Sequence, residues 1–346
     1  MPRTRGFVVL GYAVTALHPG IGRAPGTVDL PVQRDPMGYP MIYASSVKGA
    51  FKAECGRRSS NCLLKSSDGR IACEDCPICC CLFGHELGGS PAAGLLAVLD
   101  MVPLFFPVPS LSHGYLYITT PYLAARAASI LSAIATEEAG IKDLKGFLEA
   151  VKGYGSSTGK GRALNEGEVA VCSSFGEEVG GEVYVGSTAL KIVDKGLKCK
   201  DLALIEELGG LASTIRSRLV VASDKDGPLL IEKGLVRLTR VKLRVDTKTV
   251  AGQALWTEEY IPPGTVFLSG FIALTPRRNR YCCGSDKEAD KCIIVDDEQV
   301  EKLLMDFVRL IGGDDCTAYA IVGGKETIGK GMLLLKLRPC RRGDEP

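Results

Sequence analysis

The feature that most restricts the fold is a pairing near the end of the chain. The stretch DDEQVEKLLMDFVRLIGG (residues 296–313) is followed at once by TAYAIVGGKETIGKGMLLLKL (317–337). An Asp at the start and a Gly-Gly stop mark the first as a helix. The second reads as strand, glycine loop, strand. The other end of the chain has a similar order. Residues 6–17 form a strand rich in Val and aromatics, a glycine- and proline-rich loop covers residues 18–35, and SSVKGAFKAE (45–54) starts a helix. Ser45 or Ser46 would cap that helix, with Val47, Ala50 and Phe51 inward and Lys48 and Lys52 outward. Between the two ends lie strand-like runs: GLLAVLDMVPLFFP, ending at Pro107, then GYLYITT and GTVFLSGFIALT. Pro121 suits the first turn of a helix that would run to Gly140. Residues 141–230 show no clear signature. Strand–helix–strand units at both ends, with antiparallel pairs between, predict a ferredoxin-like α+β core carrying insertions. No internal repeat is present.

The chain has 346 residues, of which 46% are apolar, so it is long and apolar enough to build a sizeable core. The net charge of +2 excludes a globally basic polyanion binder. Nucleic-acid contacts would have to come from local patches. The start, MPRTRGFVVLGYAV, breaks its apolar run at Gly11 and Tyr12 and reads as a strand, not a signal peptide. No apolar stretch reaches the length of a membrane span. A soluble, cytoplasmic protein is expected.

Three segments carry candidate chemistry. In HPGIGRAPGTVDLPVQRD (18–35), three glycines and two prolines precede Val28. Such a backbone exposes N–H groups and lets a phosphate chain approach closely. Arg23 and Arg34 add cations. His18 and Asp29 offer an acid/base pair and a metal ligand. The same residues would also serve as a turn cap and a packed histidine. The second segment, VGGKETIGKGM (322–332), intersperses Gly324 and Gly329 with Lys325 and Lys330. It suits a phosphodiester chain or a plain hairpin turn, and it is not a Walker loop. The third, LVRLTRVKLRV (235–245), alternates apolar residues with Arg237, Arg240, Lys242 and Arg244. Its phase slips near Thr239, which predicts a bulged strand with one cationic face.

Fourteen cysteines are many for a cytosolic chain, and seven of them fall between Cys55 and Cys81. The run CEDCPICCC favours thiolates converging on one structural zinc, with Cys62, Cys73, Cys76, Cys79 and Cys80 as the candidate ligands. Phe83 stands where an iron–sulfur run would need a further Cys. Disulfides are the alternative, as in hyperthermophiles. Cys282, Cys283 and Cys292 form a smaller group, read as a disulfide or as ordinary thiols.

Four stretches together, HPGIGRAPGTVDLPVQRD, GYPMIYASSVKGAFK, LWTEEYIPPGTVF and GGKETIGKG, resemble the RAMP proteins of CRISPR systems. Within that superfamily they look most like the backbone subunits of type III-B (Cmr) effector complexes. The resemblance implies an RRM-like core across residues 1–346 as one elaborated domain. It would carry a Cys/Gly-rich insertion at 55–94 and a β thumb at about 225–265. Copies would stack along a guide crRNA with other Cmr subunits, and complementary target RNA would be cut at regular intervals with Mg2+ or Mn2+. Asp29 falls on the family's catalytic aspartate. His18, Glu258 and Tyr260 match residues linked to cleavage, with Glu259 an adjacent ambiguity. Arg23, Arg34, Ser46, Lys48, Lys52, Arg237, Arg240, Lys242, Gly324, Lys325, Gly329 and Lys330 are the expected RNA contacts.

Three rival readings remain at this level. One is a guide-RNA scaffold that does not cut. Another is the backbone subunit of a type III-A (Csm) complex. The last is a small-molecule enzyme using the glycine loops for a nucleotide or sugar phosphate, which lacks a nucleotide fingerprint.

Overall fold

The structure, a computed structural model, describes residues 6–59, 77–85, 92–134, 138–155, 162–176, 180–200, 202–274, 280–282, 293–295 and 297–340. In chain order the elements begin with β1 (Gly6–Ala13), α1 (Ala44–Arg58), α2 (Pro77–Phe83), β2 (Leu96–Val98), β3 (Val102–Ser110) and β4 (Gly114–Thr119). They continue with α3 (Pro121–Ile134), α4 (Ala139–Lys152), β5 (Glu168–Cys172), β6 (Glu182–Val185) and β7 (Thr188–Leu197). Next come α5 (Ala203–Glu206), α6 (Leu211–Arg218), β8 (Leu219–Ala222), α7 (Gly227–Glu232), β9 (Val236–Leu243) and β10 (Val250–Tyr260). The chain closes with β11 (Val266–Ala273), α8 (Asp297–Gly312), β12 (Thr317–Ile321) and β13 (Met332–Arg338).

Ten strands run in the order β12-β13-β1-β11-β3-β4-β8-β5-β7-β6, and β2 also pairs with β11. The part nearest the site is an interleaved pair of strand–helix–strand units. β1 pairs antiparallel with both β11 and β13, and β11 pairs antiparallel with β3. Strand β11 therefore sits between β1 and β3, and β1 between β11 and β13. This is the split arrangement of a ferredoxin-like core, with α1 and α8 as its helices.

Strand β1 shows why the sheet is covered on both sides. Phe7 and Val9 point into one core with Phe51, Phe83, Phe271 and Phe307, under α1, α2 and α8. Val8 and Leu10 point into the other, with Leu131, Ile134 and Leu144 from α3 and α4. A strand buried on both faces reads as one unbroken apolar run, as GFVVLGYA does. The first core is built on aromatic rings: Phe7 stacks on Phe271 at 4.7 Å, and Phe51 meets Phe271 edge-on at 4.8 Å.

Several local expectations change. Helix α1 begins at Ala44, ahead of the expected serine cap. Its first amide is taken by the Asp100 carboxylate at 2.8 Å, and Ser46 instead accepts a bond from the Gln33 side chain at 3.0 Å. The single strand expected to end at Pro107 is two strands, β2 and β3, and β3 runs on through Pro107 and Pro109. Beyond Phe105 its ladder partner is β4 and not β11, so the prolines fall where one edge carries no ladder. The helix expected to reach Gly140 is divided into α3 and α4. Residues 141–230, without signature in the sequence, supply α4 and the far half of the sheet from β5 to β8. No helix among the described residues is long and apolar enough to cross a membrane.

The zinc expectation is corrected at Cys79 and Cys80. Cys79 is joined to Cys55 in a disulfide between α2 and α1, and Cys80 and Cys81 are disulfide-bonded as well. A sulfur in a disulfide offers no thiolate to a metal. Cys62, Cys73 and Cys76 lie outside the described residues, as do Cys283 and Cys292. Among the described residues no group of three metal-ligating side chains gathers, and no cysteine is free. Two further bridges, Cys172–Cys199 and Cys316–Cys340, span 27 and 24 residues.

Closing a loop of that size restricts the unfolded chain. Replacing Cys172 and Cys199 together with Ser should lower stability by roughly 3 kcal/mol, read as a lower urea midpoint. A reductant should lower the wild type at least as far. Midpoints unchanged in both experiments would remove this bridge from the folded protein.

Candidate functional site

Strands β9 and β10 form an antiparallel ribbon outside the large sheet, with Arg237 opposite Glu259, Leu238 opposite Glu258 and Arg240 opposite Trp256. The register slips between Val241 and Leu243, two residues beyond the expected slip. Most of β9 is exposed, but the single cationic face expected from the sequence is divided: with no slip at Thr239, Arg237 lies on the Glu259 side and Arg240 on the Trp256 side. At its base the ribbon turns inward: Glu258, Glu259 and Tyr260 are each 1% exposed or less.

The loop bearing Asp29 lies along the outer edge of β10 as a short third strand. The Leu30 amide donates to the Thr257 carbonyl at 3.1 Å, and the Glu259 amide donates to the Leu30 carbonyl at 3.0 Å. Between these bonds the Thr257 amide donates to Asp29 Oδ2 at 2.7 Å. One carboxylate oxygen is thereby fixed against the strand edge. No donor among the described residues reaches Oδ1, and the residue is only partly buried.

Successive residues of a strand face opposite sides, so Glu258 and Glu259 act on different partners. Glu259 faces the Asp29 loop. Its carboxylate accepts from Arg34 at 2.9 and 3.0 Å, from Arg237 at 3.2 and 3.3 Å, and from the Val32 amide at 3.3 Å. Glu232, at the end of α7, braces the same two arginines. The Glu259 carbonyl accepts a bond of 2.7 Å from His18 Nδ1, and because a carbonyl only accepts, Nδ1 carries its proton. His18 is 6% exposed, and a Cβ on Gly20 would stand 2.7 Å from its Nε2.

Glu258 faces the other way and gathers a second set. Trp256 Nε1 donates to Oε1 at 2.7 Å and Lys325 Nζ to the same oxygen at 2.6 Å. The Tyr260 hydroxyl donates to Oε2, and Arg240 stands 3.8 Å from it. Burial pushes this carboxyl up, but the bonds from Lys325, Tyr260 and Trp256 outweigh it and hold the pKa at about 2. Burial and the neighbouring Glu258 raise the Tyr260 phenol to about 12.

The C-terminal glycine loop takes left-handed backbone at Gly323, Lys325, Gly329 and Gly331, and the first two of these bring it to this hub. Lys325 adopts φ +70° at the start of a short turn. Gly323, at φ +88°, lies so close to the His18 carbonyl that a Cβ would approach its oxygen to 2.6 Å, and the next amide, Gly324, donates to that oxygen at 3.0 Å. Lys330 places its ammonium 5.3 Å from the Tyr260 ring.

The fold therefore brings together His18, Asp29, Arg34, Arg237, Arg240, Glu258, Tyr260, Gly324, Lys325 and Lys330 from three separated stretches. It does not place Ser46, Lys48 or Lys52 in this cluster. Lys52 donates to the Gly84 carbonyl at 2.8 Å, and Lys48 lies on α1. Arg23 and Lys242 are exposed, and Gly329 sits on the outer part of the glycine loop. Sequence reasoning passed over Trp256 and Glu232 and left Glu259 ambiguous. Strand alternation alone would have aligned Trp256 with Glu258 and Tyr260.

The family model described as the RAMP superfamily matches residues 12–333. The chain belongs to the RAMP superfamily. Two curated RAMP relatives are each 28% identical: the CRISPR system Cmr endoribonuclease Cmr4 of Pyrococcus furiosus, over 96% of both chains, and the CRISPR system CMR subunit Cmr4 of Saccharolobus solfataricus, over 94% of both. Among solved structures, a chain of the type III-B Cmr-beta complex bound to cognate target RNA superposes with a TM-score of 0.66 at 22% identity, covering 97% of this chain and 98% of that one. Oligomeric Cmr4 from Pyrococcus furiosus gives 0.57 at 24%, with the same coverage. These likenesses establish the RAMP fold over nearly the whole length.

The depressed Glu258 pKa has a consequence for stability. A carboxylate held below its ordinary value of 4.5 stabilises the fold above that pH, and the contribution is lost as pH falls toward about 2. Glu258→Gln should be less stable than wild type near neutrality, and the gap should close through that window in urea melts. A gap that stays constant with pH would show that the charge of Glu258 is not what holds the hub.

Proposed function

We propose that this chain is an RNA-cleaving backbone subunit of a Cmr-type effector. Copies of it, with other Cmr subunits, line a guide crRNA, and each copy cuts complementary target RNA at its own position. The observation that carries this reading is the Asp29 carboxylate, pinned through Oδ2 by the Thr257 amide with Oδ1 left open at the foot of a cationic ribbon. The curated relative from Pyrococcus furiosus is named an endoribonuclease, which agrees with it.

RNA supplies its own nucleophile. The 2′-hydroxyl attacks the adjacent phosphorus in line, the O2′–P bond forms, and the P–O5′ bond breaks, leaving a 2′,3′-cyclic phosphate on one fragment and a 5′-oxygen on the other that takes a proton from water. In this reading Asp29 Oδ1 accepts the 2′-hydroxyl proton, and the bond that fixes Oδ2 keeps Oδ1 from turning away. His18 holds the loop by its bond to the Glu259 carbonyl. Glu258 and Tyr260, fully buried, position β10 and the glycine loop and do not touch RNA. Arg34 and Arg237 are committed to Glu259 and Glu232. Phosphate contacts therefore fall to Arg23, Arg240, Lys242, Lys330 and the backbone of the glycine loop near Gly324 and Gly329. Ser46, Lys48 and Lys52, away from the cluster, would serve the guide strand.

Of the four carboxylates at this junction, Glu232, Glu258 and Glu259 are matched by cations and Asp29 is not. The residues fit Mg2+ or Mn2+ only as an ion shared between Asp29 and RNA phosphate, which is how Mg2+ commonly binds in phosphoryl sites. Bound there, the ion would neutralise charge developing on the phosphate oxygens.

The test uses the assembled complex with guide RNA, target RNA and Mg2+. Asp29→Asn should bind target as tightly as wild type and cut it at least a hundredfold more slowly. A 2′-deoxy substitution at the scissile nucleotide should block that one cut in the wild type. Equal cutting by Asp29→Asn and wild type would remove Asp29 from the chemistry and leave a scaffold role.

A further inference from the structure

The face of the ribbon turned away from Glu259 carries a group that the cleavage chemistry does not use. Trp256 is the only tryptophan of the chain. Its N–H is consumed by Glu258 at 2.7 Å, which fixes the plane of the indole, yet the residue stays partly exposed. Among the described residues no ring or guanidinium stacks on it, whereas Tyr115 is covered by Arg218 at 4.3 Å and Tyr39 by Tyr122 at 5.3 Å. Cations surround it. Arg240 is its cross-strand partner, Lys325 shares its acceptor oxygen, and Lys330 sits over Tyr260 two strand positions beyond Glu258. Arg240 and Lys325 face the Glu258 carboxylate and Lys330 stands over the adjoining Tyr260 ring, so these cations outnumber the one carboxylate they surround. The exposed Leu238, on the same face, extends the apolar surface of the indole.

We propose that Trp256 is a stacking seat for one unpaired base of a bound RNA strand, with Arg240 and Lys330 holding the flanking phosphates. An indole whose polar edge is satisfied and whose face is open, set among cations, combines the two contacts by which single-stranded nucleic acid is held without regard to sequence. Because Glu258 ties Trp256 to Lys325, and the adjoining Glu259 ties the same strand to the Asp29 loop, a base on Trp256 sits in fixed register with Asp29. The inference rests on the RNA-binding reading above and adds to it a specific seat on the face opposite Asp29.

The single tryptophan supplies the probe. Fluorescence excited at the indole of the full-length chain should fall on titration with unstructured oligoadenylate RNA, and the response should weaken as salt rises. Affinity is then measured by anisotropy of labelled RNA for two variants. Trp256→Phe and Trp256→Ala both lose the bond to Glu258, but only Trp256→Ala loses the aromatic face. The proposal expects Trp256→Ala to bind about tenfold more weakly, and Trp256→Phe to stay within about threefold of wild type. Thermal melts of both variants confirm that they are folded. Bound RNA with unchanged fluorescence, or equal losses in the two variants, would overturn the seat and leave the cleavage reading intact. A fluorescence change that follows protein concentration without RNA would overturn it in favour of a second copy of the chain covering the indole. RNA binding absent from both the chain and the assembled complex would sink the parent reading and this one together.

Discussion

Two adjacent carboxylates on one strand organise this molecule. Because β10 sends Glu258 and Glu259 to opposite sides, a single dipeptide step ties together three distant segments: the Asp29 loop through Arg34, the ribbon's other strand through Arg237 and Arg240, and the C-terminal glycine loop through Lys325. Each carboxylate is buried, so each is tolerable only because its partners are cations or strong donors. The arrangement is correspondingly intolerant of loss. Removing either acid would leave positive charges gathered around an absent partner, whereas removing one exposed lysine of the ribbon would leave the frame in place.

Burial also separates two kinds of work within one motif. In TEEY, the side chains of Glu258, Glu259 and Tyr260 are turned into the protein, and only their backbone and their grip on neighbours reach the surface site. Asp29 has the reverse character. It is partly exposed, bonded through one oxygen, and has an open second oxygen. In the proposed cleavage the chemistry falls to this one carboxylate on its rigid mount, and the residues around it act by geometry.

Much of the frame was legible in the sequence, and the reasons are local. Helix α8 has the apolar spacing and the glycine stop that its ends demand, and β1 has the unbroken apolar run of a strand covered on both faces. The glycine loops were visible because close approach of the Gly323 backbone to His18 admits no side chain. The long-range pairings were not legible. Nothing near Lys325 announces that its ammonium ends on Glu258, and β5, β6 and β8 are strands of four or five residues whose signals are weak one at a time. The cysteines misled for a related reason. Cys73 to Cys81 look like a ligand cluster because they are crowded, yet Cys79 pairs with Cys55 on another helix, and Cys172–Cys199 and Cys316–Cys340 join positions with no local motif at all.

The order in which the site is assembled along the chain has a consequence for synthesis. The Asp29 loop emerges first, the strand that pins Asp29 is made more than two hundred residues later, and Lys325 follows after that strand. A ribosome must build β10 before the Asp29 loop can be pinned, and add 67 residues beyond Glu258 before that carboxylate can find its lysine. Until then the loop has no strand edge to lie on and the aspartate no fixed oxygen. Through all of that interval the growing chain is without its closed site while it is still beside the messenger that encodes it.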